Sequence, residues 1–326
     1  MKSAQELHDE TTVRGIKPTI TVGETYSPPP TSRLSDVLTL FKLRVTALVV
    51  LTAWAGYFMA ARKYNFPAAN WRLVWVMIGV ALVASGAATM NQVMEWRTDR
   101  FMIRTRNRPL PAARMAVSLG SAIGALCVVA GSALIALVSN PLTAAMSLVT
   151  AMSYVFVYTP LKMRSPVSTF VGAFPGAMPA VLGWTSVSGR FDWEALALFA
   201  IVFFWQFPHF HSIAWLYRED YERAGIRMLA VIHPDGEGTI RRILAYGAAL
   251  IPISLLPTYL GMSGNIYFAG AIVLGIAYLY FGVRLAMLKL PATSAQSKKE
   301  ARQLLQASVL YLPILFALMM MDGAKH

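Results

Sequence analysis

The chain has 326 residues, of which 56% are hydrophobic and only 14% charged, with a mean hydropathy of +0.51. Ordinary soluble domains carry about 25% charged residues, so this composition excludes a conventional soluble enzyme and points to a polytopic membrane protein. The net charge of +13 does not mark a nucleic-acid binder, because the basic residues sit in short gaps between long apolar runs and not on one face of a domain.

Residues 1–34 are polar and mixed in charge, end in Tyr26-Ser27-Pro28-Pro29-Pro30-Thr31-Ser32, and contain no apolar run that could act as a cleavable signal. They are expected to form a disordered tail, with residues 35–326 making one membrane domain. Glu6, Asp9, Glu10 and Glu24 argue against an organelle transit peptide, which is poor in acids. After Lys42 and Arg44 come stretches long enough to span a bilayer, at about 20 residues each. They fall at 43–61, 73–93, 115–138, 141–159, 167–187, 193–214, 243–262, 265–285 and 303–321. The fold class expected is therefore an all-α polytopic membrane protein with nine transmembrane helices.

Of the 29 lysines and arginines, only Arg62, Lys63, Arg72, Arg190 and Lys325 fall on the far side of these spans. The positive-inside rule puts the N-terminal tail and the other, richer loops in the cytoplasm. Losing or adding an early span would scatter the arginine-rich gaps over both sides, so the charge pattern also supports the span count. The single cysteine, Cys127, lies within an apolar run and reads as small core filler, and no intramolecular disulfide can form. Spans two and six, in the same orientation, each run directly into a charged loop, which hints at two related halves.

The end of span two concentrates the polar chemistry. A helix continuing through Asp99 places Asn91, Glu95 and Asp99 at i, i+4 and i+8, drifting by about 40° per step, so three oxygen donors share one face. That is a hard-cation site in outline. Arg104, Arg106 and Arg108 follow at every second residue, a spacing that fits an extended or looping segment closed by Pro109. Carboxylates beside guanidinium forks make a metal-bound phosphate or diphosphate the natural ligand. The plainer reading, an interfacial helix end paired with Arg97 or Arg100, explains charges near headgroups but not their alignment.

A second charged loop, Trp215 to Gly225, supplies carboxylates after span six, with Asp220 and Arg218 preferred over Glu219 and Glu222 for a second metal or the far side of the same diphosphate. His209 and His211 lie near the same end of span six, where ionisable residues at membrane depth are functional candidates. At i, i+2 they point roughly 160–200° apart on an unbroken helix, which disfavours a shared zinc site. One of them can face the interior as a polar contact or a haem-iron ligand. Lys162, in the short turn after Tyr158-Thr159-Pro160-Leu161, is held near the membrane where a bound phosphate would lie. The stretch Gly172-Ala173-Phe174-Pro175-Gly176-Ala177-Met178-Pro179 is expected to break or kink span five.

Taken together, Asn91, Glu95, Asp99-Arg100, Met102, Arg104-Thr105 and Arg108-Pro109, with Trp205 to Phe210 and Tyr217-Arg218, Asp220-Tyr221 and Ala224-Gly225, resemble the intramembrane UbiA-type prenyltransferases. The likeness runs from Lys42-Leu43-Arg44-Val45-Thr46 through the last span. With Glu95 where most members carry aspartate, the chain is similar to a haem-modifying branch of that family. The resemblance implies nine helices around a central cavity open to the lipid bilayer of a bacterial cytoplasmic membrane, and magnesium-dependent transfer of the farnesyl group of farnesyl diphosphate to a vinyl group of protohaem IX, giving haem O. By the same resemblance Asn91, Glu95, Asp99 and Asp220 match metal and diphosphate positions, and Arg104, Arg108, Lys162 and Arg218 match basic positions near the diphosphate. His209 is the candidate haem contact, since His211 stands where that branch has an aromatic residue. Haem-processing or oxidase-assembly proteins are implied partners. The family's usual pair of aspartates four residues apart is absent from the second motif. An aromatic or quinone-precursor acceptor, or a carrier of anionic lipid without catalysis, are the alternative readings.

Overall fold

The computed structural model describes residues 31–323, so residues 1–30 of the expected tail, and Lys325 at the other end, lie outside the described residues. A first short helix, α1 (Arg33–Leu40), begins two residues before the expected edge of the membrane domain, with the Ser32 hydroxyl capping the Ser35 N–H. Among the described residues nine helices are long and apolar enough to cross a bilayer: α2 (Leu43–Lys63), α3 (Trp71–Asp99), α4 (Val117–Val138), α5 (Pro141–Leu161), α6 (Ser168–Ser188), α7 (Trp193–Leu216), α10 (Glu237–Tyr259), α11 (Asn265–Met287) and α12 (Ala295–Met321). Between α7 and α10 lie two short helices, α8 (Arg218–Arg223) and α9 (Leu229–Ile232). All nine expected spans are present, and the molecule is a multi-pass membrane protein.

Local chemistry sets several of the ends. Asn70 caps α3 by accepting from the Leu73 N–H at 3.0 Å, and Asn140 caps α5 with Pro141 in the first turn. At 29 residues, α3 extends about 43 Å, well beyond the roughly 30 Å of a hydrocarbon core. Its last turns therefore carry Asn91, Glu95 and Asp99 out of the apolar layer. Near its end, α5 widens into a π-helix over Ser153–Tyr158 before a last α turn at Thr159–Leu161, a feature of the kind that recurs at functional sites. The Gly/Pro-rich segment does not break α6, which is one helix with Pro175 and Pro179 inside it. Prolines are tolerated in membrane helices where neighbours meet the backbone. The carbonyls that Pro175 and Pro179 free are those of Val171 and Pro175; between them Gln206 Nε2 donates to the Ala173 carbonyl at 3.0 Å, across Gly176, where a Cβ would stand 2.0 Å from the Gln206 Oε1.

The helices form two packed groups. One is α2 with α3, α4, α5 and α6, the other is α7 with α10, α11 and α12, and they join through α6 against α7 and α2 against α12. The α2/α6 crossing is close enough that a Cβ at Gly183 would meet the Ala53 carbonyl oxygen at 1.8 Å, and one at Gly56 the Ala180 oxygen at 2.0 Å. Small residues at such crossings let dispersion contacts hold helices together where no hydrophobic drive separates protein from lipid. A third, smaller apolar core lies under the loops, where Met102, Tyr221, Ile226 and Met228 pack together. The two long loops are thus folded onto each other and cap one end of the bundle.

α1 is tied to this cap by Asp36, whose Oδ1 accepts from Arg114 Nη2 at 2.8 Å while Arg114 Nε reaches both carboxylate oxygens at 3.2 Å. The Arg114 fork holds the Asp36 carboxyl below its ordinary value of 3.8, against the opposing effect of burial. A carboxylate with a depressed pKa contributes its stability in full above the unfolded value and loses it as pH falls through the lower, folded one. Asp36→Asn is expected to cost about 2 kcal/mol. Thermal unfolding in detergent checks this at neutral pH, and the gap to the wild type should close as the pH is taken below 3.8.

Candidate active site

The last turns of α3 place Asn91, Glu95 and Asp99 on one buried face, at 3%, 5% and 0% exposure. The alignment expected from their spacing is present. Each is met by a basic side chain from a different element. Asn91 Oδ1 accepts from Lys42 Nζ at 2.9 Å, and Asn91 Nδ2 donates to Thr159 Oγ1 at 3.2 Å. Glu95 receives Lys162 Nζ at 3.2 and 3.4 Å. Asp99 Oδ2 pairs with Arg108 Nη1 at 2.7 Å, and the loop closes on the same turn through Thr105 Oγ1 donating to the Asp99 carbonyl at 3.0 Å.

Lys42 joins α1 to α2 in the left-handed region, with φ of 46°, a conformation that costs a non-glycine residue about 1 kcal/mol or more. Its ammonium is pushed down to about 7 by burial and by the neighbouring Arg108. Lys162 behaves oppositely: burial again disfavours its charge, but Glu95, Tyr221 and Tyr154 together outweigh it and hold it above the ordinary lysine value. Two carboxylates thus face three basic groups. The excess is positive, so the cluster attracts an anion, and a metal cation is best admitted together with an anionic ligand.

The residues fit a hard cation. Asp99 Oδ1 is buried with no hydrogen-bond partner among the described residues, an orphaned acceptor of the kind a metal or an ordered water satisfies. Among the described residues no three His, Cys, Asp or Glu side chains converge to make an all-protein cage. A magnesium ion here would complete its shell with water and ligand oxygens, its usual habit.

The second loop lies across the first, but not as expected. Asp220 and Arg218, chosen together from the sequence, do not act on one partner. Arg218 lies 3.9 Å from Glu222, and Asp220 pairs with Arg223. Neighbours on a helix are three or four residues apart, so positions two apart diverge. Asp220 also accepts from the backbone N–H groups of Ile103 and Arg104 at 3.3 and 3.4 Å. Arg104 lies over the Tyr217 ring, 4.9 Å from its centroid, and donates to Tyr221 Oη at 3.4 Å. Lys162 Nζ is 5.8 Å from the centroid of Tyr221, so this ring joins the two loops to the acidic face.

His209 and His211 part as their spacing requires. His209 Nδ1 is 2.7 Å from Ser308 Oγ on α12, and its ring stacks on Trp205 with centroids 4.8 Å apart. His211 is buried at 3%, its Nε2 without a hydrogen-bond partner among the described residues. The residues missed by sequence reasoning as site members are Lys42, which looked like ordinary topology charge, and Thr159. Nothing local distinguishes either.

Fold and site together define a multi-pass α-helical membrane protein with a buried acid–base cluster, capped by loops, at one end of its bundle. The profile of the UbiA prenyltransferase family matches residues 49–310. A protein named protoheme IX farnesyltransferase from Koribacter versatilis (strain Ellin345) is 50% identical over 90% of this chain and 95% of its own, and one of the same name from Solibacter usitatus (strain Ellin6076) is 44% identical over 89% and 99%. Among solved structures, a UbiA homolog from Archaeoglobus fulgidus bound to DMAPP and Mg2+ superposes with a TM-score of 0.63 at 18% identity, covering 87% of this chain and 99% of that one. A digeranylgeranylglyceryl phosphate synthase gives 0.71 at 16% identity, covering 89% and 98%. The chain belongs to the UbiA prenyltransferase family.

Proposed function

We propose that this protein transfers the farnesyl group of farnesyl diphosphate to a vinyl group of protohaem IX, giving haem O and diphosphate. The observation that carries the donor half is the aligned Asn91–Glu95–Asp99 face with its three basic partners and the orphaned Asp99 oxygen. The acceptor half rests on relatives of that name at 50% and 44% identity. Asn91, Glu95 and Asp99 would hold magnesium, which when bound supplies charge neutralisation for the departing diphosphate. Asp220, expected as a fourth ligand, has both carboxylate oxygens engaged by loop donors and Arg223.

Lys42, Lys162 and Arg108 bind the diphosphate oxygens, Arg104 and Arg218 flank them, and together they stabilise the charge that develops as the allylic C–O bond breaks. The bonding pair leaves with the diphosphate. The vinyl π pair forms the new C–C bond, and water captures the resulting cation and loses a proton to leave a hydroxyethylfarnesyl arm. Tyr158 lies against Gly172, between Phe170 and Phe174 along α6. From there an aromatic band runs through Phe203, Phe207 and Tyr246. It suits an isoprenoid chain, and its ring faces favour a nearby cation. Ser308 holds Nδ1 of His209, leaving Nε2 for the haem iron. The cap of Met102, Tyr221 and Ile226 keeps bulk water from the allylic donor. By the positive-inside rule this end faces the cytoplasm of a bacterial inner membrane, and the haem product would pass to haem-processing or oxidase-assembly proteins.

The test is pyrophosphate release by purified protein given farnesyl diphosphate and magnesium. Release should require protohaem, and 4-hydroxybenzoate should not replace it. Release with 4-hydroxybenzoate alone would identify an aromatic prenyltransferase, and retention of intact donor under every condition would identify a carrier.

A further inference from the structure

We propose that Asp220 is a positioning residue for donor binding and not a metal ligand: its carboxylate fixes the Ile103–Arg104 turn of the α3–α4 loop, and through it the guanidinium groups that meet the diphosphate. This deepens the donor half of the proposed function and rests on it.

The carboxylate has little left to offer a cation. Its Oδ1 accepts from the Ile103 N–H and from Arg223, its Oδ2 from the Arg104 N–H, and the residue is 7% exposed. A buried carboxylate saturated by donors is a structural anchor, since stripping them to admit a metal would leave two backbone N–H groups unsatisfied. The anchored turn is connected to the site by an unbroken series of bonds. Thr105 and Arg106 donate their N–H groups to the Met102 carbonyl at 3.1 and 2.9 Å, and Arg108 donates its own to the Thr105 carbonyl at 2.9 Å. Thr105 Oγ1 ties the same turn to Asp99. Arg108 then meets the Asp99 carboxylate.

Side chains of α8 and of the residues flanking it grip the turn from the other side. Tyr217 and Tyr221 lie against the Arg104 guanidinium, and Met102 is buried with Tyr221, Ala224 and Ile226. The sequence element that looked like a second acidic motif therefore acts on the first motif's arginines. That also accounts for the absence of a second aspartate four residues along: an anchor for two adjacent N–H groups needs only one carboxylate.

The test compares Asp220→Ala with Asp220→Asn, which keeps a carbonyl acceptor for the turn while removing the charge a metal would need. Hydrogen exchange in detergent reads the turn directly, without activity. The amides of Ile103 and Arg104 should both exchange at least about tenfold faster in Asp220→Ala, whereas in Asp220→Asn, whose one amide oxygen can serve only one of them, one of the two should stay protected. In turnover assays Asp220→Ala should raise KM for farnesyl diphosphate about tenfold and leave kcat and the half-saturating Mg2+ concentration within about twofold, with Asp220→Asn falling between it and the wild type in KM. A tenfold rise in the Mg2+ requirement of both variants, with unchanged exchange at Ile103 and Arg104, would overturn the proposal. Faster exchange in Asp220→Ala in a protein that never consumes farnesyl diphosphate would sink the enzymatic reading and leave the anchor standing.

Discussion

Asp99→Ala is expected to lower haem farnesylation by about a thousandfold or more while the protein still accumulates in the membrane fraction. Glu95→Ala should do the same. Both residues lie at the tip of α3, beyond the apolar run that directs insertion, so their loss should not alter the number of spans. The two losses differ in what they leave behind. Asp99 is fully buried and its Oδ2 neutralises Arg108, so truncation removes the proposed metal oxygen and also leaves a guanidinium without its partner. Breaking a buried pair from one side costs about 3–5 kcal/mol of stability. Glu95→Ala likewise unpairs Lys162, which then loses the interaction that offsets its burial. Asp99→Asn and Glu95→Gln separate the effects: they keep the shape and an acceptor for the basic partner, restore much of the stability, and remain inactive. Immunoblotting of membranes, thermal unfolding in detergent and haem O quantification together check the prediction. Turnover within a few-fold of wild type in any of the four variants would remove the metal assignment.

The architecture was legible because its causes are local. Hydropathy and the sidedness of lysine and arginine placed all nine spans, and the i, i+4, i+8 spacing was enough to put Asn91, Glu95 and Asp99 on one face. Errors cluster where a helix continues past its apolar run. α10 begins at Glu237 and not near 243, and α12 at Ala295 and not near 303, because Arg241, Arg242, Lys298, Lys299 and Glu300 read as loop charges although they sit in helical turns. Ser294, which caps α12 by accepting from the Ser297 N–H at 3.2 Å, was the overlooked signal. Lys162, Arg104 and Arg108 were legible as candidates, but not which acid each of them meets. Lys42 meets Asn91 across 49 residues, Lys162 meets Glu95 across 67, and Asp220 meets Arg104 across 116. No periodicity spans such separations. The two histidines show the same limit: their divergence follows from helical geometry, whereas the attachment of His209 to Ser308 follows only from how α7 packs on α12.

Arg108→Ala is expected to raise KM for farnesyl diphosphate about a hundredfold while the affinity for protohaem stays within about twofold. The reason is that Arg108 pairs with Asp99, on the side proposed to hold the donor. Its Nη1 is 2.7 Å from Asp99 Oδ2, the side chain remains 19% exposed, and the guanidinium fork has donors to spare for a phosphate oxygen. His209 is on α7, held to Ser308 on α12, in the other helix group. A partial compensation is built in. Arg108 is one of the causes that push Lys42 down to about 7, after burial, so its removal lets Lys42 hold its proton to higher pH. The loss should therefore be smaller than for Arg108→Ala combined with Lys42→Ala, whose effects should not simply add because both groups face one anion. Arg108→Lys keeps the charge but not the fork, and should fall between wild type and alanine. Steady-state KM for the donor, set beside a Soret titration for haem, measures both quantities on the same preparation. Equal weakening of donor and haem would show that Arg108 shapes the whole cavity and does not read the diphosphate.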